Sequence, residues 1–136
     1  MKNRRDFLKK SILLTGGLAF ANTSVAFAAG SRFQAGIVYT KDNPGRWAKK
    51  VGSHAPKVKV EGKEVTLTTM HPMTEKHYIV RHTVVAPDGK VLGEKTFYPS
   101  DKRAVSMYEL SAGRKGKLYA TSFCNIHDFW VTEFSV

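Results

Sequence analysis

A single cysteine, Cys124, excludes any intramolecular disulfide. Acidic residues are also scarce: 11 Asp and Glu stand against 22 Lys and Arg, for a formal net charge of +11. That balance argues against a cation-storing surface and favours partners of negative charge. No unbroken apolar run reaches the roughly 20 residues needed to cross a bilayer. Nor is there a basic stripe with interleaved aromatics, which makes nucleic acid a poor candidate partner. Repeats and low-complexity tracts are absent, and no segment has the apolar periodicity of a helix longer than two turns.

What is present begins with an address. Asn3-Arg4-Arg5-Asp6-Phe7-Leu8-Lys9 carries paired arginines, and a short apolar stretch from Ile12 to Ala21 follows, broken by Thr15-Gly16-Gly17. Ala26-Phe27-Ala28 then gives the small-x-small pattern of signal cleavage. The sequence therefore predicts a twin-arginine export signal over 1–28, a mature domain over 29–136 and a periplasmic location, with no membrane span after signal removal. The first 28 residues hold five Lys/Arg and one Asp, so the mature domain keeps +7 of the charge. At 108 residues it suits one domain with one modest core. Export by this route often serves proteins that fold around a cofactor first, which raises the expectation of a metal.

The mature chain reads as strand throughout. Val65–Met70 is β-branched and alternating, and His77–Ala86 is a longer strand closed by the turn Pro87-Asp88-Gly89-Lys90. Val91–Phe97, Ala104–Leu110, Lys117–Phe123 and Phe129–Val136 continue the pattern, with Phe33–Thr40 and Lys57–Glu61 as weaker candidates. Short strands at this density predict an all-β fold, an immunoglobulin-like antiparallel β-sandwich of about seven strands. The stretch Asp42–His54 does not alternate and is expected to be a mobile loop.

Cys124-Asn125-Ile126-His127 sets a thiol and an imidazole three positions apart, a spacing common at metal sites. Four more histidines lie upstream, at 54, 71, 77 and 82. Pro72 forces a turn between His71 and His77. His82 is an odd number of residues beyond His77, so strand alternation sends it to the opposite face, as a surface or partly buried histidine. That leaves His54, His71, His77, His127 and Cys124. Five protein ligands exceed what structural zinc takes, and imidazole with thiolate fits iron, with one position of an octahedron free. A blue-copper site would need a weak axial ligand, usually a methionine, after the cysteine; the last methionine is Met107.

His71-Pro72-Met73-Thr74-Glu75-Lys76-His77-Tyr78-Ile79 together with Cys124-Asn125-Ile126-His127 resembles the iron domain of the superoxide reductases, the neelaredoxin and desulfoferrodoxin family. His54-Ala55-Pro56 and Asp88-Gly89-Lys90 fall in the family's order, and the resemblance runs from about Trp47 to Glu133. It implies equatorial His54, His71, His77 and His127, axial Cys124, and one-electron reduction of superoxide to hydrogen peroxide at a mononuclear non-haem iron. It also implies a homo-oligomer, tetramer or dimer. A second redox centre of rubredoxin type would need four cysteines, so electrons must come from an external donor.

The chain departs from the family at one point. A Glu-Lys pair commonly precedes the first ligand histidine, whereas Gly52 and Ser53 stand there in this chain. Lys49 and Lys50 lie on the same loop, and Lys50 is the candidate to draw and protonate the substrate. The missing pair also motivates an alternative, an iron-binding or redox-sensing module without efficient catalysis.

Overall fold

The computed structural model describes residues 33, 34 and 36–136; the export signal expected over 1–28 lies outside the described residues. Eight strands form two sheets. They are β1 (Val38–Tyr39), β2 (Lys57–Glu61), β3 (Glu64–Thr69), β4 (Ile79–Val85), β5 (Val91–Thr96), β6 (Ala104–Glu109), β7 (Lys117–Cys124) and β8 (Asp128–Ser135). The larger sheet has the order β1-β8-β7-β4-β5, and the smaller β2-β3-β6. Seven strands are joined by antiparallel pairings, whereas the short β1 pairs parallel with β8. Phe33–Thr40 therefore contributes only two strand residues. Among the described residues, no helix is long and apolar enough to cross a membrane.

Alternation places the core. In β3, Val65, Leu67 and Thr69 point inward, and Val65 and Leu67 pack with Val84 of β4 and with Leu118 and Ala120 of β7. Such interdigitating inner faces are what hold a sandwich together. A second cluster at one end joins Ile79, Phe97, Ala104 and Cys124. The lone cysteine thus grows out of packed core and not out of a free loop. Gly93 of β5 is required by a close approach: a Cβ there would sit 2.3 Å from the ring of Tyr108 on β6.

His82 corrects the face count made from sequence. It is fully buried, not at the surface. Strand β4 begins at Ile79, so His77 lies outside it and cannot set the phase. The β4–β7 register also shifts between Ile79 and Arg81, and both Ile79 and His82 face inward as a result. Between the sheets, His82 Nε2 meets Thr69 Oγ1 at 2.8 Å and Nδ1 meets Ser106 Oγ at 2.9 Å. Thr69 in turn donates to Ser122 Oγ at 2.9 Å. Four strands, β3, β4, β6 and β7, are tied by this one polar cluster.

Asp42–His54 is not an unstructured loop. Gly45–Lys50 is a 3-10 helix kinked at Trp47 (φ −99°, ψ 23°), continued by one helical turn, α1 (Val51–His54). It delivers His54 to the end of the sandwich where Cys124 emerges.

Candidate metal centre

Three chain segments supply the donors. His54 ends α1, whose last turn closes through a hydrogen bond from the Ala55 N–H to the Val51 carbonyl. His71 and His77 flank the loop between β3 and β4. There Thr74 and His77 exchange backbone hydrogen bonds of 3.1 Å, and the Thr74 hydroxyl also donates to the His77 carbonyl. Cys124 ends β7, and His127 sits in the three-residue connection to β8, where Cys124 pairs with Asp128. Asn125 fastens this connection to the histidine loop: its Oδ1 accepts from the Tyr78 N–H and its Nδ2 donates to the Lys76 carbonyl, both at 3.0 Å.

These elements bring together His54, His71, His77, Cys124 and His127, with one donor atom from each lying within 4.8 Å of every other. His54 Nε2 and His127 Nδ1 are 2.9 Å apart, as are His127 Nδ1 and His77 Nε2, and His77 Nε2 and His71 Nε2. A square of that side has its centre about 2.05 Å from each corner, matching imidazole–metal bonds of about 2.0–2.1 Å. Cys124 Sγ lies 3.7 Å from His127 Nδ1 and 3.9 Å from His71 Nε2. Those two nitrogens are not neighbours in the series, so the sulfur stands above the group and not within it. His82, the one remaining described histidine, lies apart in its own hydroxyl cluster.

A hydrogen-bond network does not account for this arrangement. Each imidazole nitrogen has one in-plane site, a proton or a lone pair. His127 Nδ1 and His77 Nε2 each face two other nitrogens, and neighbouring rings meet at 65° to 90°. The chemistry that satisfies four converging lone pairs and a sulfur is a single cation.

The electrostatics agree. Burial, then repulsion from His71 and His127, lowers His54 to about 3. Burial, then His77, lowers His71 to about 4. His77 and His127 are lowered too, by burial first. All four are held in the neutral form that binds metal. Burial raises the Cys124 thiol, against hydrogen bonds from the Ile126 and His127 N–H groups that favour its thiolate. The His127 N–H reaches Sγ at 3.4 Å. A bound cation would displace the remaining proton.

Outer contacts orient the rings. His54 Nδ1 faces Ser53 Oγ at 2.8 Å and the Lys50 carbonyl at 3.2 Å, which reserves Nε2 for the centre. His71 Nδ1 donates to the Pro72 carbonyl. Trp130 donates to the His127 carbonyl at 2.9 Å and lies against the His54 ring. Ser53, which stands where a charged residue was expected, thus has a positioning contact of its own. Trp47, Arg46 and Asn125 were not singled out from sequence, because their partners lie 81, 82 and 47 residues away. The positive charge of Lys50 lowers the pKa values of His71, His77, His127 and Cys124, whereas Lys49 acts on none of them.

Comparison with known proteins follows the same outline. The desulfoferrodoxin family profile matches residues 46–133. A superoxide reductase of Pyrococcus horikoshii is 37% identical over 89 residues, covering 56% of this chain and 72% of that protein. One from Pyrococcus furiosus is 32% identical over 98 residues, covering 59% and 76%. Among solved structures, the superoxide reductase of Giardia intestinalis superimposes with a TM-score of 0.56 at 26% identity, over 62% of this chain and 98% of that one. The match takes in all five converging donors, and on that ground the chain belongs to the desulfoferrodoxin family.

Proposed function

We propose that the protein is a superoxide reductase that holds one non-haem iron between His54, His71, His77, His127 and Cys124. The observation that carries this is the convergence of four imidazole nitrogens and one sulfur in a chain of this family. These five residues would hold the iron, which in its ferrous form would supply the one electron that, with two protons, converts superoxide to hydrogen peroxide. Four neutral imidazoles and one thiolate would leave a ferrous ion with a net positive charge, which favours an anionic substrate. Cys124, rooted among Ile79, Phe97 and Ala104, presents a sulfur whose position is fixed by packing. Among the described residues no sixth His, Cys, Asp or Glu joins the group.

Lys50 is the side chain proposed to attract superoxide and assist its protonation. Its charge reaches four of the five donors, and Gly52 and Ser53 offer no cation of their own. The paired arginines and the Ala26-Phe27-Ala28 site support export to the periplasm by the twin-arginine route. An external donor would return the electron, and a dimer or tetramer is the proposed assembly.

Stopped-flow mixing of the ferrous protein with superoxide tests the function. Rapid loss of superoxide with formation of peroxide and no oxygen is the expected result. Oxygen release would indicate dismutation. Slow turnover with iron intact would favour the redox-sensing alternative that the absent Glu-Lys pair suggests.

A further inference from the structure

Asp128 is the only non-glycine residue among those described with a positive φ, 65°. Asparagine and aspartate tolerate this region better than most residues, but glycine adopts it without strain. A tight turn alone would be served better by glycine, so the carboxylate invites a reason. Its partners supply one. Asp128 Oδ2 accepts from Arg46 Nη2 at 2.7 Å and from Trp47 Nε1 at 2.9 Å. Both donors belong to the 3-10 helix Gly45–Lys50, which has no side-chain cap and no buried residue of its own. The Trp47 ring meets the His127 ring edge-on, with centroids 4.6 Å apart, and the Arg46 guanidinium lies over the indole, 4.9 Å from its centroid. Lys50 ends the same helix.

We propose that Asp128 is a positioning residue that clamps the Gly45–Lys50 helix against the metal centre. It thereby seats Trp47 on His127 and holds the charge of Lys50 at the ligands. The link is short in space and long in sequence: the residue after a ligand grips the helix that precedes another ligand. Beyond the backbone contacts of Trp47 to Pro44 and of the Lys50 carbonyl to His54 Nδ1, the segment gains two charge-assisted bonds to the residue that follows His127. Asp128 acts through Trp47 and Lys50 and does not itself touch the substrate.

The test compares Asp128→Gly with Asp128→Asn, and rests on the proposed superoxide reaction only for its kinetic arm. Glycine relaxes the turn and removes the clamp; asparagine keeps an acceptor oxygen and tolerates the positive φ. In zinc-substituted protein, the emission of Trp47 is obtained by subtracting the matching Trp47→Phe chain. Asp128→Gly should move that emission to the red, and Asp128→Asn should leave it in place. In the iron protein at low salt, Asp128→Gly should slow the reaction with superoxide by about fivefold and flatten its salt dependence, while Asp128→Asn restores both. Arg46→Ala, which removes one of the two bonds, should give an intermediate emission shift if the glycine variant does not fold. Wild-type emission in Asp128→Gly and Arg46→Ala would overturn the proposal. So would shifted emission with an unchanged rate. If the wild-type protein does not reduce superoxide at all, the functional assignment fails while the emission comparison still decides the clamp.

Discussion

His54 and His82 are buried alike, 1% and 0% exposed, and burial lowers both well below the usual imidazole value, to about 3 and about 4. They differ in what their nitrogens face. His82 meets a hydroxyl on either side, Thr69 and Ser106, so each nitrogen has a donor or acceptor in reach. His54 meets Ser53 and the Lys50 carbonyl with one nitrogen and another imidazole nitrogen with the other. The first environment is complete without an ion, while the second needs one. Neither burial nor a shifted pKa separates a metal ligand from a structural histidine; the partner of the second nitrogen does.

The largest expected effect breaks the metal side of this comparison alone. Cys124→Ser removes the sulfur that stands over the four nitrogens. The sulfur-to-iron charge-transfer band of the oxidised protein should vanish, and iron should bind more weakly by more than the about 10–100-fold typical of outer-shell changes. Visible spectra and metal titration measure both. Persistence of the band would mean that Cys124 is not a ligand. Cys124 is itself packed with Ile79, Phe97 and Ala104, so a serine hydroxyl buried there should cost the metal-free protein about 1–3 kcal/mol in unfolding, while the His82 hydrogen bonds stay in place.

His82→Ala breaks the other side. It leaves Thr69 and Ser106 without their partner and opens space next to Phe97, whose ring lies 4.8 Å away edge-on. Loss of about 3 kcal/mol is expected in urea unfolding, with the visible spectrum of the iron protein unchanged. The pH dependence sharpens this. The folded pKa of His82 lies below its unfolded value, so the unfolded chain takes up a proton first as the medium is acidified. His82 therefore lowers stability as pH falls from about 6.5 to about 4, at about 1.4 kcal/mol per unit where the difference is one proton. Acid unfolding of the metal-free His82→Ala protein should be shallower by about one proton across that window. An equal slope would mean that His82 is protonated in the fold.

These two histidines also mark what could be read in the sequence. Cys124-Asn125-Ile126-His127 and the His71–His77 turn are local patterns, and local spacing is enough to suggest shared ligation. Strand alternation likewise locates β2 to β8 to within two residues at each end. His82 was misjudged because a register shift near Ile79 is invisible to a count of two. Val38–Tyr39 pairs parallel to β8, a contact that no alternation in Phe33–Thr40 announces. Asp42–His54 lacked alternation because it is a short helix held by tertiary bonds from Arg46 and Trp47 to Asp128, and such partners leave no mark at helical spacing.

Lys50 carries the smallest effect, because it acts on substrate capture only through its charge. It is half-buried at the end of the Gly45–Lys50 helix, and its field reaches His71, His77, His127 and Cys124. One unit charge near a partly solvated site changes the energy of an approaching anion by about 1 kcal/mol, or about fivefold in rate. Lys50→Ala should therefore slow superoxide capture about fivefold at low ionic strength and much less at 1 M salt, where the screening length falls to about 3 Å. Lys50→Arg should keep the capture rate. Because guanidinium does not release its proton, the arginine variant should slow only the later, proton-dependent phase. Lys49, exposed and without influence on any donor, is the internal control: its replacement should alter neither phase, and an equal effect of the two lysines would reduce the role of Lys50 to net charge.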